Sequence, residues 1–165
     1  MLRKLYLVPV LALFLVPAVS KAQFKAGDWD LQLSGQGSAV SGGSLDTGDF
    51  NVQGQLGYLV TKEIEVGIRQ GFIWADGGSA MNGSTTAFAD YIFDLDRWQP
   101  YVGVAIGYRY GENLEDSWIA TPEAGLKYFV NATTYIDGSV GYAWDLNNGI
   151  DEGGYAFRLG VGFTF

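Results

Sequence analysis

The 165-residue chain contains no cysteine and no histidine, and each absence excludes a kind of chemistry. Without cysteine no disulfide can form. Without either residue, the usual N/S zinc sites and the thiolate or imidazole of many hydrolases are missing. Basic residues are also scarce, since ten Lys and Arg stand against 18 Asp and Glu for a net charge of −8. Phosphate binding needs a surplus of Lys and Arg, so this composition argues against a nucleic-acid partner.

The N-terminal residues have the three parts of a cleaved export signal. Arg3 and Lys4 provide positive charge, residues 5–19 form an apolar stretch, and residues 20–22 (Ser-Lys-Ala) match the small-x-small cleavage pattern. The apolar stretch is shorter than the roughly 20 residues that a membrane-spanning helix needs. The sequence therefore predicts a signal peptide over 1–22 and a single domain over 23–165.

Beyond residue 22 the chain alternates apolar and polar residues and shows no helical periodicity. Near its start, for example, Trp29, Leu31 and Leu33 alternate with Asp30 and Gln32. Side chains of a strand point to opposite faces in turn, so a period of two predicts β-strands. Eight such runs occur, over residues 29–39, 50–60, 64–74, 87–93, 102–110, 120–130, 136–144 and 155–165.

The segments between the predicted strands are long and short in turn. Long segments rich in Gly, Ser, Asn and acidic residues follow the odd-numbered strands, at 41–48, 76–84, 111–116 and 145–154. Short turns follow the even-numbered strands, at 61–62, 94–99 and 131–132. Long loops at one end and short turns at the other are typical of outer-membrane barrels. Asp137 and Gly138 form a turn-like pair, but they continue the alternation and are placed inside the seventh strand.

The two faces of the predicted strands distinguish a membrane barrel from a soluble, lipocalin-like one. A soluble barrel points its apolar face inward and its polar face to water. Here the apolar face carries no charge and one strongly polar residue, Gln70, whereas the other face combines charges with many glycines. Glycine makes a poor exposed strand surface, but small residues fit the narrow lumen of an eight-stranded barrel. The sequence therefore predicts an all-β fold, an eight-stranded antiparallel up-and-down transmembrane β-barrel with its apolar face toward lipid.

The five tryptophans fall at the ends of predicted strands. Trp29 and Trp98 lie at the short-turn end, and Trp74, Trp118 and Trp144 lie at the long-loop end. Amphipathic rings are favoured at the level of the lipid headgroups, so these positions predict two aromatic girdles. Tryptophans of an ordinary core would instead lie near the strand centres.

Charged residues on the inward face form the candidate site. These are Asp28, Asp30, Glu65, Arg69, Asp90, Arg109, Glu123, Lys127, Asp137 and Arg158. Their mixed signs predict a network of ion pairs, with Arg69 near Asp90 and Glu123 near Arg158, and leave two carboxylates without a base. The network either plugs the lumen or lines a channel. Arginine side chains that reach across a lumen of only eight strands favour the plug.

Three parts of the sequence carry a family resemblance: the signal peptide, residues 98–108 (WQPYVGVAIGY) and the ending 159–165 (LGVGFTF). With these the chain resembles the small outer-membrane β-barrels of Gram-negative bacteria, the porin-like family that includes outer membrane protein X and the barrel domain of outer membrane protein A. The resemblance implies that Phe165 is the signal read by the barrel-assembly machinery. It further implies a monomer that contacts outer-membrane lipid and lipopolysaccharide.

The resemblance implies a non-enzymatic role, structural or in surface interactions, with a narrow porin-like channel as the alternative. The lipid-modifying barrels of this membrane rely on a histidine, which this chain lacks. Because the chain ends at Phe165, no periplasmic peptidoglycan-binding domain is expected. No cofactor and no metal are expected either. The acidic segment 145–152 offers oxygen ligands for a hard cation. It departs from the EF-hand pattern at Gly149 and Ile150, however, and a solvated acidic surface is favoured.

Overall fold

The computed structural model of the chain describes residues 24–40, 50–74, 81–111, 116–147 and 153–165. These residues form eight strands: β1 (Trp29–Val40), β2 (Phe50–Leu59), β3 (Ile64–Trp74), β4 (Met81–Ile92), β5 (Trp98–Tyr110), β6 (Ser117–Phe129), β7 (Thr134–Asp145) and β8 (Gly153–Thr164). Each strand pairs antiparallel with the next, and β8 pairs with β1 to close the barrel. The predicted eight-stranded antiparallel barrel is confirmed. The predicted signal peptide lies outside the described residues and stays a prediction.

Five strands, β4 to β8, begin two to six residues earlier than the alternation predicts, and β4 and β8 are examples. β4 starts at Met81, within the predicted connection 76–84, and its first residues pair with the end of β3. β8 starts at Gly153, within the predicted connection 145–154, where it pairs with β7 and β1. Gly, Ser and Asn have low strand propensity and indicate loops, but pairing on a neighbouring strand outweighs that preference. Asp137 and Gly138 lie inside β7, as predicted.

Side-chain oxygens fix the short turns. In the β2–β3 turn the hydroxyl of Thr61 accepts hydrogen bonds from the N–H groups of Glu63 and Ile64, at 3.2 and 3.0 Å. In the β6–β7 turn the Oδ1 of Asn131 accepts from the N–H groups of Thr133 and Thr134, at 2.9 and 2.8 Å. Thr and Asn oxygens satisfy backbone donors that such tight turns leave without strand partners.

The barrel has a polar interior and an apolar exterior. Leu33 and Leu159 face outward and are 64% and 67% exposed, whereas Asp30 and Glu65 face inward and are fully buried. This is the reverse of a soluble domain, in which charged residues are almost never fully buried unless paired. Gln70 lies on the outer face as predicted from its parity. Among the described residues no helix is long and apolar enough to cross a membrane.

The side-chain amide of Gln70 lies on the outer face of the barrel and has hydrogen-bond partners there. Its Nε2 donates to the hydroxyl of Tyr110 at 2.9 Å, and its Oε1 accepts from the hydroxyl of Thr85 at 2.8 Å. The three residues belong to adjacent strands β3, β4 and β5, so the polar groups satisfy one another across the sheet. Such pairing lowers the cost of placing an amide on an otherwise apolar surface.

Candidate functional site

Eight of the predicted charged residues meet in the lumen. They form what is here called the ion-pair layer: Asp30, Glu65, Arg69, Asp90, Glu123, Lys127, Asp137 and Arg158. They come from six of the eight strands, and each stands at an inward position of the period-two pattern. Their side chains are at most 9% exposed, so water screens the pairs only weakly.

Lys127 is the centre of one half of the layer. Its ammonium lies 3.1 Å from Oδ2 of Asp30 and 2.5 Å from Oε2 of Glu65. The hydroxyl of Tyr135 donates to the same Asp30 oxygen at 2.5 Å. The rings of Phe24, Tyr101 and Tyr135 lie around the ammonium, 5.0 to 5.6 Å from it. A single buried cation therefore holds two carboxylates and is enclosed by aromatic faces.

The other half is a chain of ion pairs centred on Glu123. Arg69 binds Glu123 in bidentate fashion, at 2.8 Å from Nη1 and 2.5 Å from Nη2. Arg158 lies 3.4 Å from the same carboxylate and 3.6 Å from Asp137. Arg69 also lies 3.5 Å from Asp90. The two predicted pairs, Arg69 with Asp90 and Glu123 with Arg158, are thus joined through a third contact that sequence reasoning did not anticipate.

Carboxylates outnumber cations within the described ion-pair layer, by five to three. Neutral donors compensate in part: Gln55 donates to Glu65 at 3.1 Å, and Gln32 donates to Asp137 at 2.9 Å. The Oδ1 atoms of Asp30, Asp90 and Asp137 are buried without a hydrogen-bond donor. The interior is therefore a net-negative polar core that ion pairs and amide groups hold together.

Two residues of the predicted network lie elsewhere. Asp28 precedes β1, where its carboxylate accepts a hydrogen bond from the backbone N–H of Lys25 at 3.0 Å. It belongs to a turn because the strand, and with it the alternation of faces, begins one residue later. Arg109 faces inward near the loop end and pairs with Asp145 at 3.6 Å, so it lies outside the ion-pair layer. Asp145 was expected in a loop, but it is the last residue of β7.

Two lumen glycines make room for carboxylates. A Cβ added to Gly57 would collide with Oε1 of Glu65, and one added to Gly103 would collide with Oδ1 of Asp90. Gly103 is the direct cross-strand partner of Asp90. The prediction that small residues fit a narrow lumen therefore has a local cause, since each acidic side chain lies flat over a neighbouring strand.

An apolar cluster closes the lumen at the short-turn end. The sequence pattern did not predict it. This apolar cap consists of Phe24, Leu59, Ile92, Tyr101, Phe129 and Tyr135, all buried to at least 97%. Three members end β2, β4 and β6 at inward positions. A signal for them existed, because the alternation breaks there into apolar triplets at residues 58–60, 91–93 and 128–130. The inward-facing residues thus include large apolar side chains as well as charged and small ones.

The described tryptophans lie near the strand ends. Trp29 and Trp98 begin β1 and β5 at the short-turn end, while Trp118 and Trp144 lie at the loop end of β6 and β7. Trp74 is the last residue of β3, at the same end as Trp118. Tyrosines flank the rings, with centroid distances of 5.1 Å for Trp29 and Tyr58 and 4.6 Å for Trp98 and Tyr128.

Phe165 completes the seam between the first and last strands. Its backbone N–H donates to the carbonyl of Trp29 at 3.0 Å, and its carbonyl accepts from the N–H of Trp29 at 2.9 Å. Its side chain points outward and is 70% exposed. The backbone of Phe165 thus joins the barrel while its ring remains available.

Within the described part of the chain no group of three or more acidic side chains is arranged to hold a metal ion. Most of the segment 145–152, which was weighed for a cation, lies outside the described residues. The described lumen therefore offers ion pairing and side-chain hydrogen bonding as its chemistry.

Several bacterial barrels have the same fold. The N-terminal barrel domain of OprF from Pseudomonas aeruginosa is similar with a TM-score of 0.67 and 20% identity, over 87% of this chain and 100% of that one. For Neisserial surface protein A the TM-score is 0.63 and the identity 17%, over 86% and 98%. For OprG, an outer membrane protein of P. aeruginosa, they are 0.59 and 15%, over 88% and 99%.

Sequence comparison adds no relative. No protein-family model matches the chain, and no curated protein matches it. At identities of 15 to 20% the structural likeness establishes the fold. The chain has the closed eight-stranded barrel architecture of small outer-membrane proteins.

Proposed function

We propose that the protein is a non-enzymatic integral outer-membrane barrel with a structural or surface-interaction role. The observation that carries this proposal is the inversion of the barrel: apolar side chains cover its outside, and the ion-pair layer fills its inside. A lipid bilayer is the solvent that suits such an exterior. The resemblance to OprF, OprG and a neisserial surface protein supports the same location.

The loop end provides the surface for interactions. The connections after odd-numbered strands carry eight acidic residues and no Lys or Arg: Asp46, Asp49, Asp76, Glu112, Glu115, Asp116, Asp151 and Glu152. Partners at this end would be cationic or would bind through bridging cations. In the membrane the barrel would contact phospholipid and lipopolysaccharide as a monomer. The absence of His and Cys from the sequence supports a role without catalysis.

The second candidate is a narrow channel for ions or very small solutes. The observation that favours it is the excess of carboxylates in the lumen together with the inward-facing Arg109, whose side chain is 37% exposed. Cations would be preferred by such a lining. Planar-bilayer recording on the refolded barrel separates the two functions, because a plugged lumen gives only rare, small events and a channel gives steady conductance.

Cysteine labelling on intact cells tests the membrane topology. The chain has no native cysteine, so single cysteines can be placed at Asn147, exposed at the loop end, and at Lys62, exposed in a short turn. An impermeant maleimide is expected to label Asn147→Cys and to spare Lys62→Cys. Both should react after the envelope is permeabilised. Labelling of both variants in a soluble extract would contradict the membrane location, and the reverse pattern on cells would invert the barrel.

Replacing Phe165 by alanine is expected to reduce insertion in cells while leaving the refolded barrel stable. The ring is exposed and contributes little to packing, whereas the backbone pairing with Trp29 remains in the variant. The measurements are the heat-dependent gel shift of outer-membrane fractions and urea unfolding of refolded protein. Phe157→Ala is the matched control, since its ring also faces outward from β8, is 51% exposed and lies before the ending 159–165. Equal losses in the two variants would contradict a recognition role.

A further inference from the structure

The N-terminal segment before β1 is held against the barrel by its own turn. Gly27 has a φ of +94°, a conformation that favours glycine. Its N–H donates to the carbonyl of Leu59 at 2.8 Å, and the Leu59 N–H donates to the carbonyl of Asp28 at 3.0 Å. The Asp28 carboxylate accepts from the N–H of Lys25 at 3.0 Å. These bonds turn the chain back, so that Phe24 enters the barrel end.

Phe24 occupies the middle of the apolar cap. Its ring meets Phe129 edge-on at 5.1 Å and Tyr135 at 5.9 Å, and it is 3% exposed. The ammonium of Lys127 lies 5.0 Å from the centre of the same ring. Phe24 thus separates the ion-pair layer from the short-turn end. Unlike Leu59 and the other cap residues, it lies outside the strands and can leave the lumen without breaking the barrel wall.

We propose that the lumen is closed by two barriers in series, the ion-pair layer and a removable stopper formed by Phe24. The proposal rests on the plugged lumen of the proposed function and extends it. Water and ions that passed a gap in the ion-pair layer would still meet a dry apolar cap, and an apolar constriction opposes conduction by excluding water. Opening of a conducting path therefore requires both barriers to fail.

The test compares Arg158→Ala, Phe24→Ala and the double variant in planar bilayers. Removing Arg158 opens a gap in the ion-pair layer while Glu123 keeps its bidentate contact with Arg69. Each single variant is expected to behave as the wild type, and the double variant to conduct steadily, well above the sum of the singles. Steady conductance in Arg158→Ala alone would make the ionic layer the sole barrier and overturn the proposal. Steady conductance in Phe24→Ala alone, or none in the double variant, would also overturn it.

A second measurement examines the seating of Phe24 without conductance. In folded protein Phe24→Cys is expected to react with a small maleimide about tenfold more slowly, or slower still, than Lys25→Cys, because buried groups react through local opening. Both should react at the same rate in urea. The heat-dependent gel shift verifies folding of each variant. In the bilayer recordings Phe93→Ala serves as the aromatic control for Phe24→Ala, since that ring is 46% exposed at the same end. Equal rates in the folded state would show that the stopper is not seated, while steady conductance in wild-type protein would contradict the plugged lumen itself.

Discussion

Replacing Lys127 by methionine is expected to lower the free energy of unfolding by about 3 to 5 kcal/mol, the usual cost of leaving a buried charge without its partner. The Lys127 side chain is 1% exposed, and its ammonium lies between Asp30 and Glu65, both fully buried. Methionine fills a similar volume, so the loss would come from the two uncompensated carboxylates rather than from a cavity. Urea unfolding in lipid vesicles, followed by tryptophan fluorescence, measures the change.

Two further variants show that the Lys127 effect is electrostatic. Lys62→Met removes an exposed lysine whose contacts with Glu63 and Asp94 are 3.3 and 3.9 Å, and it should cost less than about 1 kcal/mol. Adding Glu65→Gln to Lys127→Met should recover part of the loss, since one of the two buried charges is then removed. A Lys127→Met loss no larger than that of Lys62→Met would show that water fills the lumen and screens its charges.

Loss of both guanidinium groups around Glu123 is expected to cost more than the sum of the two single losses. Arg69→Met removes the bidentate partner, a stack on the Phe88 ring at 4.1 Å and a bond to Gln55 at 2.7 Å, and should cost about 3 to 5 kcal/mol. Arg158→Met should cost less, since Glu123 retains Arg69. Only the double variant leaves Glu123 without a cation, so the losses should not add. The same unfolding assay measures all three variants.

Because Glu123 contacts two arginines, the expected stability of a variant that lacks both Glu123 and Arg158 differs from that of a separate Glu123–Arg158 pair. If Glu123 paired with Arg158 alone, removing Glu123 from an Arg158→Ala barrel would recover stability. Because Glu123 also holds Arg69, that second change leaves Arg69 with the longer 3.5 Å contact to Asp90. Little recovery is therefore expected. Additive losses for Arg69→Met and Arg158→Met would contradict the chain of contacts and restore two independent pairs.

The sequence predicted the barrel because a period of two marks part of every strand and the loop lengths repeat. Of the ten charged residues that parity assigns to the inward face, all but Asp28 lie on that face in the structure, since parity decides only whether a side chain points inward. It could not decide which charges meet. Arg69 and Glu123 are 54 positions apart on β3 and β6, and their contact depends on how far each side chain reaches across the closed lumen.

The apolar cap escaped prediction for a different reason. Leu59, Ile92 and Phe129 stand where a strand runs into a short turn, and there an apolar residue is readily assigned to the outer face. Phe24 gave no periodic signal, because it lies before the first strand and reaches the lumen through the turn at Gly27. Contacts between a chain end and strand ends depend on closure of the whole barrel.

The space above Gly103 also bears on how such a barrel can evolve. Asp90 keeps its place because the facing residue on β5 has no side chain, so a substitution at either position changes what the other can tolerate. Glu65 and Gly57 are coupled in the same way. For these two carboxylates, inward charge therefore depends on a pair of positions on neighbouring strands. Moving either acidic residue to another position in the lumen would require similar free space on the strand beside it.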